Sequence, residues 1–271
     1  GEIEDYNEIN SAPSKVDGDR LLSYFTRLQY NYKGKYLFSG VLRRDGSSKF
    51  GPANKFGFFP SVSVGWVASE ESFLEDSEII NFLKIRASYG VIGNDKIPAF
   101  GFVSLLEGQG QYIFDNEIIT GTASGALSNP EIKWEKQIPL DIGVDIELFD
   151  KVNITADYFN KRTEDLLLIP QVSGILGVSA PGSRAPIVNA GTVENKGLEF
   201  AIGYKERISD DFKFSVNYNF TTIDNEVLFV GSESGFLVGG SFGVGQEEPS
   251  RMEAGLPIGY FYGYKTNGIF Q

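Results

Sequence analysis

The side chains with the most obvious chemical capacity are four carboxylates in two short stretches: Asp141, Asp145 and Glu147 within "IPLDIGVDIEL" (138–148), and Asp157 within "VNITADYFN" (152–160). Paired acids hydrolyse glycosides when their carboxyl groups stand about 5–9.5 Å apart. Residues two apart on one face of a strand have Cα atoms roughly 6.6 Å apart, and residues four apart roughly 13 Å, so only some pairs qualify. Nothing nearby in sequence raises the proton affinity of one acid above another, and catalysis is the weakest reading. Arg27, Arg43, Lys84 and Arg86 fall on the same expected face as the acids. They suit contact with a substrate or charge balance across neighbouring strands. Trp134, Tyr112 and Phe114 carry flat rings of the kind on which a sugar stacks.

Composition removes several other chemistries. The 271 residues include no cysteine and no histidine, which excludes disulfides, thiolate catalysis, ordinary zinc sites and histidine-based triads. A formal charge of −12 with a pI near 4.6 opposes binding to phosphate backbones, so no nucleic-acid partner is expected. In "RRDGSSKFG" the single acid Asp45 is too little for calcium, and Asp45-Gly46 reads as a hairpin turn. The glycine-rich "SGFLVGGSFGVGQ" (234–246) lacks the Gly-Lys-Ser/Thr ending of a phosphate loop and reads as a surface loop. Glycosylation-like triplets at Asn153 and Asn219 fall inside expected strands and are coincidental. No metal or cofactor is expected.

Extended elements must position these side chains. In 138–148, Ile138, Leu140, Ile142, Val144, Ile146 and Leu148 alternate with Pro139, Asp141, Gly143, Asp145 and Glu147. Period two predicts a strand with one apolar and one polar face. Eight more segments repeat the pattern: "LLSYFTRLQYNY", "KYLFSGVLRR", "FFPSVSVGW", "FLKIRASYG", "VNITADYFN", "GLEFAIGYK", "FKFSVNYNF" and, less cleanly, "PIGYFYGYKTNGIF". Trp134, after the loop-breaking Asn129-Pro130, marks a strand start. Links near 33–35, 149–151 and 206–211 are tight, 67–81 is intermediate with room for one helical turn, and those after Arg44, Gly90, Lys161 and Thr222 are longer. Short and long links alternate, as in an up-and-down membrane barrel with turns on one rim and loops on the other.

Ten tilted strand residues span roughly 23 Å, close to the apolar band of such a barrel. No run of about eighteen apolar residues occurs, so no transmembrane helix is expected, which leaves a barrel open. Aromatic residues gather where segments end, at Tyr30, Tyr32, Tyr36, Phe149, Tyr204 and Phe212. Such rings suit a headgroup girdle and are equally good strand formers. Two architectures fit: a barrel with lipid against the apolar face, or a soluble β-rich binding or adhesion domain with that face in a core. The first residues, "GEIEDYNEIN", carry no secretory signal, which suggests a removed leader or an internal piece of a longer chain.

The blocks "RLQYNYKGKYLFSGVLRRDGSSKFGPANKFGFFPSVSVGW", "LKIRASYGVIGN", "NPEIKWEK", "DYFNKRTEDLLL", "VENKGLEF" and "GLPIGYFYGYKTNGIFQ" follow one another in an order that resembles SusC/RagA-type TonB-dependent transporters, from about Arg20 to Gln271. The resemblance implies an all-β, antiparallel up-and-down transmembrane barrel in the outer membrane, here roughly nine strands of a parent with about 22. Residues 1–19 would be an acidic loop or strand end, and 20–271 a middle-to-late barrel portion without plug or final strands. It also implies a plug in the lumen, TonB engaged through an N-terminal region outside this sequence, a SusD-like lipoprotein lid, and import of oligosaccharides or peptides without enzymatic turnover. On that basis Arg27, Arg43, Arg86, Asp141, Asp145 and Asp157 would face lumen or plug. Leu140, Ile142, Val144 and Ile154 would face lipid, and Tyr112, Phe114 and Trp134 would be the candidates for substrate contact.

Overall fold

The structure, a computed structural model, describes residues 18–99, 101–104, 108–123, 125, 127–170, 185–240, 243, 248–265 and 268. The acidic start, 1–17, lies outside the described residues, as do 241–242 and 244–246 of the glycine-rich stretch, which was expected as a surface loop and in which Phe236–Val238 instead forms a strand. In chain order the strands are β1 (Leu21–Tyr32), β2 (Tyr36–Ser47), β3 (Phe56–Val67), β4 (Ile80–Gly90), β5 (Ile92–Asn94), β6 (Gly108–Phe114), β7 (Glu117–Ala123) and β8 (Glu135–Leu148). They continue with β9 (Val152–Glu164), β10 (Leu167–Leu168), β11 (Val188–Asn189), β12 (Gly191–Arg207), β13 (Lys213–Val230), β14 (Phe236–Val238), β15 (Ser250–Glu253) and β16 (Tyr260–Phe261). The principal sheet runs β1-β2-β3-β4-β8-β9-β12-β13, with β5 added beside β8. Every pairing in it is antiparallel, and β1 and β13 are its edges, the β13 edge being engaged at Val227 by the Gly255 amide and the Leu256 carbonyl.

Links alternate short and long. At the β1–β2 and β8–β9 turns the chain reverses through paired left-handed residues, Lys33 with Gly34 and Phe149 with Asp150. That backbone twist matches the twist of the flanking strands. The β3–β4 link holds one 3-10 turn, Ala68–Glu70. The loop between β4 and β8 contains a hairpin, β6–β7, that no alternation pattern announced.

Two expectations are corrected. Asp45 and Gly46 do not form a turn; they continue β2, because Gly46 is paired with both Leu22 and Phe56 and chain reversal waits until 48–55. Pairing on both sides outweighs the turn preference of Asp-Gly. The stretch 257–270 does not add a ninth long strand; among its described residues only Tyr260–Phe261 pairs, and with β15 rather than β13.

Register aligns the apolar positions into rows that cross the sheet. One row reads Tyr30, Phe38, Val64, Ala87, Ile142, Tyr158, Leu198, and the next Tyr32, Tyr36, Trp66, Ile85, Val144, Ala156, Phe200, Phe220. These side chains are not beneath a second layer: Val64 is 50% exposed and Ile142 47%. The buried clusters lie elsewhere and include none of Leu140, Ile142, Val144 or Ile154. A soluble domain needs those four in its core, so that alternative has no support in the fold. No helix among the described residues is long and apolar enough to cross a membrane, which says nothing about a barrel.

The two clusters sit at the long-link end. One gathers Phe50, Phe59, Ile97, Ile132 and Trp134, the other Val193, Val227, Val230 and Met252. At the short-turn end Glu71 accepts from Tyr36 Oη at 2.7 Å, from Trp66 Nε1 at 3.3 Å and from Lys35 Nζ at 3.3 Å. The Tyr36 hydroxyl first, and then the Trp66 N–H, hold the Glu71 carboxyl below its ordinary value. A depressed carboxylate adds stability that is present above the unfolded pKa and lost as pH falls through the folded one. Glu71→Gln should therefore loosen this turn at neutral pH, with the difference from wild type closing below the ordinary carboxylate value of about 4.3. Amide exchange of Leu74 and Glu75, which donate to the Glu71 carbonyl, measures it. A difference that did not shrink as pH falls below about 4.3 would contradict this assignment.

Candidate functional site

The polar face is centred on one arginine. Arg86 of β4 is paired with Gly143 of β8, which is paired in turn with Asp157 of β9. With no side chain at 143, the guanidinium reaches across: Arg86 Nε donates to Asp145 Oδ2 at 3.0 Å and Nη2 to Asp157 Oδ2 at 2.8 Å. A Cβ on Gly143 would stand 2.0 Å from Asp157 Oδ1 and 2.8 Å from Arg86 Cζ. Asp145 Oδ1 also accepts from Thr155 Oγ1 at 3.2 Å. Asp157 Oδ1 is buried without a partner among the described residues. Charge-assisted bonds of this kind tie three strands together.

Beside the cluster lies a trough of about 530 Å³ along β1 to β4 and β8, with Gln29, Asn31, Ser39, Ser63, Arg86 and Asp141 in its lining. Small residues hollow it out, since Ser39, Ser63 and Ser88 are successive register partners. A second hollow of about 450 Å³ continues past Arg43, Asp45, Ser61 and Gly90.

The register places Arg27, Arg43, Arg86, Asp141, Asp145 and Asp157 on one face of the sheet. Only Arg86, Asp145 and Asp157 converge. Arg43 turns back to Asp45 at 2.7 Å, and Ser88 Oγ donates to Asp141 at 3.5 Å. Asp145 and Asp157 do not flank an empty space where a glycosidic bond would sit; a shared arginine lies between them. Removing it leaves two acids facing each other. Because all three side chains keep some solvent, the penalty falls between surface and buried values, and Arg86→Ala should cost about 2 kcal/mol in denaturant unfolding of the full-length protein. Asp157→Asn in the Arg86→Ala background should recover part of it. A loss under about 0.5 kcal/mol would make the cluster incidental.

Trp134 is a correction. It is 5% exposed, its ring 4.9 Å from Phe50 and 5.2 Å from Phe59 between centroids, with Nε1 donating to the Lys55 carbonyl at 3.4 Å. No sugar can stack on a ring already packed this way. The rest of "NPEIKWEK" has the same office of fastening loops. Asn129 Nδ2 donates to the Ile187 carbonyl at 2.7 Å, and Glu135 accepts from Asn94 Nδ2 at 2.8 Å and from the Leu167 amide at 3.0 Å. Tyr112 and Phe114 are 71% and 63% exposed on β6, away from the trough's lining. Gly143 and Gly197 escaped the sequence reading; a glycine interrupting a strand is the available signal of close approach.

Similarity to known proteins adds a second line. The sequence profile of the family described as "TonB dependent receptor-like, beta-barrel" matches residues 2–264. The chain is 36% identical over 273 residues to TonB-dependent receptor P39 of Formosa agariphila, covering 99% of this chain and 24% of that protein. It is 31% identical over 262 residues to TonB-dependent receptor SusC of Bacteroides thetaiotaomicron, covering 92% of this chain and 25% of that protein. Among solved structures, the RagAB peptide importer in its closed-closed state superposes with a TM-score of 0.76 at 21% identity, over 89% of this chain and 25% of that one. The chain thus spans about a quarter of the length of the relatives it matches.

Proposed function

The chain belongs to the TonB-dependent receptor β-barrel family, and on that premise we propose that residues 20–271 form part of the wall of a SusC/RagA-type outer-membrane importer. The apolar rows face lipid. The opposite face, with Arg27, Arg43, Arg86, Asp141, Asp145 and Asp157, looks into the lumen and onto a plug. The edges β1 and, outside the stretch engaged at Val227, β13 pair with further strands of the full barrel, because hydrocarbon offers nothing else to their N–H and C=O groups. The short turns lie at the periplasmic rim and the long links, with the β6–β7 hairpin, at the extracellular one. The importer engages TonB through another region and carries a SusD-like lipoprotein lid.

Cargo is an oligosaccharide or a peptide, translocated unchanged. Peptide is what the RagAB peptide importer, similar to this chain in fold, takes up. Tyr112 and Phe114, exposed on the extracellular hairpin, are candidates for first contact with cargo. The observation that carries the reading is the uncovered apolar face set back to back with the Arg86 cluster across the same strands.

The test is purification of the full-length protein from its native membranes in mild detergent. The importer reading predicts fractionation with the outer membrane, co-purification of a lipoprotein, and bound oligosaccharide or peptide detectable by mass spectrometry. Recovery in the aqueous phase without detergent would overturn it.

A further inference from the structure

The small sheet β14-β15-β16 packs one face against the principal sheet, and its opposite face carries half-buried side chains. Met252 and its register partner Leu237 pack against Val193 and Val227 at the long-link end. Val193 and Val227 are register partners of each other, on the side of the sheet that holds the Arg86 cluster. By alternation Phe236, Arg251 and Glu253 point away from that wall.

On this opposite face Arg251 is held in an unusual way. Its Cζ lies 4.3 Å from the centroid of Phe236 and 3.2 Å from that of Tyr262. Among the described residues its buried Nε meets no acceptor and Arg251 takes part in no ion pair. The neighbouring acid is engaged elsewhere, since Glu253 accepts from Tyr260 Oη at 2.5 Å. The two rings hold the guanidinium in place, and among the described residues its N–H groups have no acceptor. A planar fork set in advance with donors to spare matches a carboxylate.

We propose that Arg251, clamped by Phe236 and Tyr262, is a subsite for a carboxylate on the imported cargo at the mouth of the lumen. The site rests on the importer reading and narrows it to acidic cargo: an oligosaccharide bearing uronic acids, or a peptide presenting its free C-terminus. The rings contribute by holding the guanidinium, so Phe236 and Tyr262 are positioning residues and Arg251 is the ligand contact.

The experiment uses the full-length protein and four probes: trigalacturonate, its methyl ester, a tetrapeptide with a free C-terminus, and the amide of that tetrapeptide. Binding is compared in wild type, Arg251→Gln and Arg251→Lys, with each variant first required to fractionate and unfold with heat as the wild type does. Wild type should prefer at least one acid probe to its neutral counterpart, which of the two identifying the cargo class. Arg251→Gln should weaken that acid probe about ten- to a hundredfold and leave the neutral one unchanged. Arg251→Lys, which keeps the charge but loses the fork, should fall between. Equal binding of acid and neutral forms by wild type, or an equal loss of both in Arg251→Gln, would overturn the subsite and leave the importer standing. Binding of none of the four would overturn the subsite, and the importer reading would then be decided by its own fractionation and cargo analysis.

Discussion

Gly197→Val should destabilise the full-length protein by about 3 kcal/mol, at the upper end of what overpacking costs. Gly197 lies on β12 between Phe159 of β9 and Ile223 of β13. A Cβ there would fall 2.0 Å from the Thr222 carbonyl oxygen and 2.9 Å from Phe159 Cζ. The first obstacle is backbone and cannot swing aside, so the β12–β13 ladder must part. Gly203, six residues along the same strand, is the control: its added Cβ would meet only Asn217 Oδ1 at 2.7 Å, the end of a flexible side chain. Gly203→Ala should therefore cost well under 1 kcal/mol, in line with ordinary surface substitutions. Denaturant unfolding of both variants in detergent separates them, and equal destabilisation would refute the close-approach explanation.

The second large effect is expected at Trp134. Trp134→Ala should remove about 3–5 kcal/mol from the loop assembly at the long-link rim, by lost burial plus the cavity left behind. The ring is the shared contact of Phe50 and Phe59, and truncation leaves both without their partner. Because the cluster docks loop residues onto the principal sheet through Phe59 of β3 alone, loss should appear as local opening before the sheet yields. Limited proteolysis of native protein should cut between Val91 and Trp134 in the variant while the principal sheet stays protected. Trp134→Phe should be milder. Rim protection unchanged in Trp134→Ala would show that the cluster does not hold the loops.

The two sites also show what was legible in the sequence. Alternation in "IPLDIGVDIEL" and in "FLKIRASYG" fixes two strands and the polar faces that carry the acids and Arg86, because a period of two is local information, while the register that joins them is not. The schedule of short and long links was equally readable. Trp134 was correctly placed at a strand start, since β8 begins at Glu135, yet its burial depends on Phe50 and Phe59 from far earlier in the chain. Asp45-Gly46 misled for the same reason: turn preference is local, and the strand pairing that overrides it is not. Gly143 and Gly197 interrupt alternating patterns, which hints at close approach, but their partners Asp157 and the Thr222 carbonyl belong to other strands. The β6–β7 hairpin and the Arg251 clamp arise from loops whose composition has no repeating pattern to read.

The sidedness of the sheet is the claim on which the account turns, and Ser63 and Val64 test it most directly. They are adjacent on β3, Val64 in an apolar row with Phe38 and Ala87, and Ser63 on the opposite face in register with Ser39 and Ser88. The chain has no cysteine, so a fluorophore can be placed at Ser63→Cys or Val64→Cys without competition from native thiols in this segment. With the full-length protein in liposomes, brominated lipid should quench the label at 64 strongly and leave the label at 63 nearly untouched, while a water-soluble quencher does the reverse. Equal quenching at both positions, or stronger lipid quenching at 63, would contradict a wall with hydrocarbon on its apolar side.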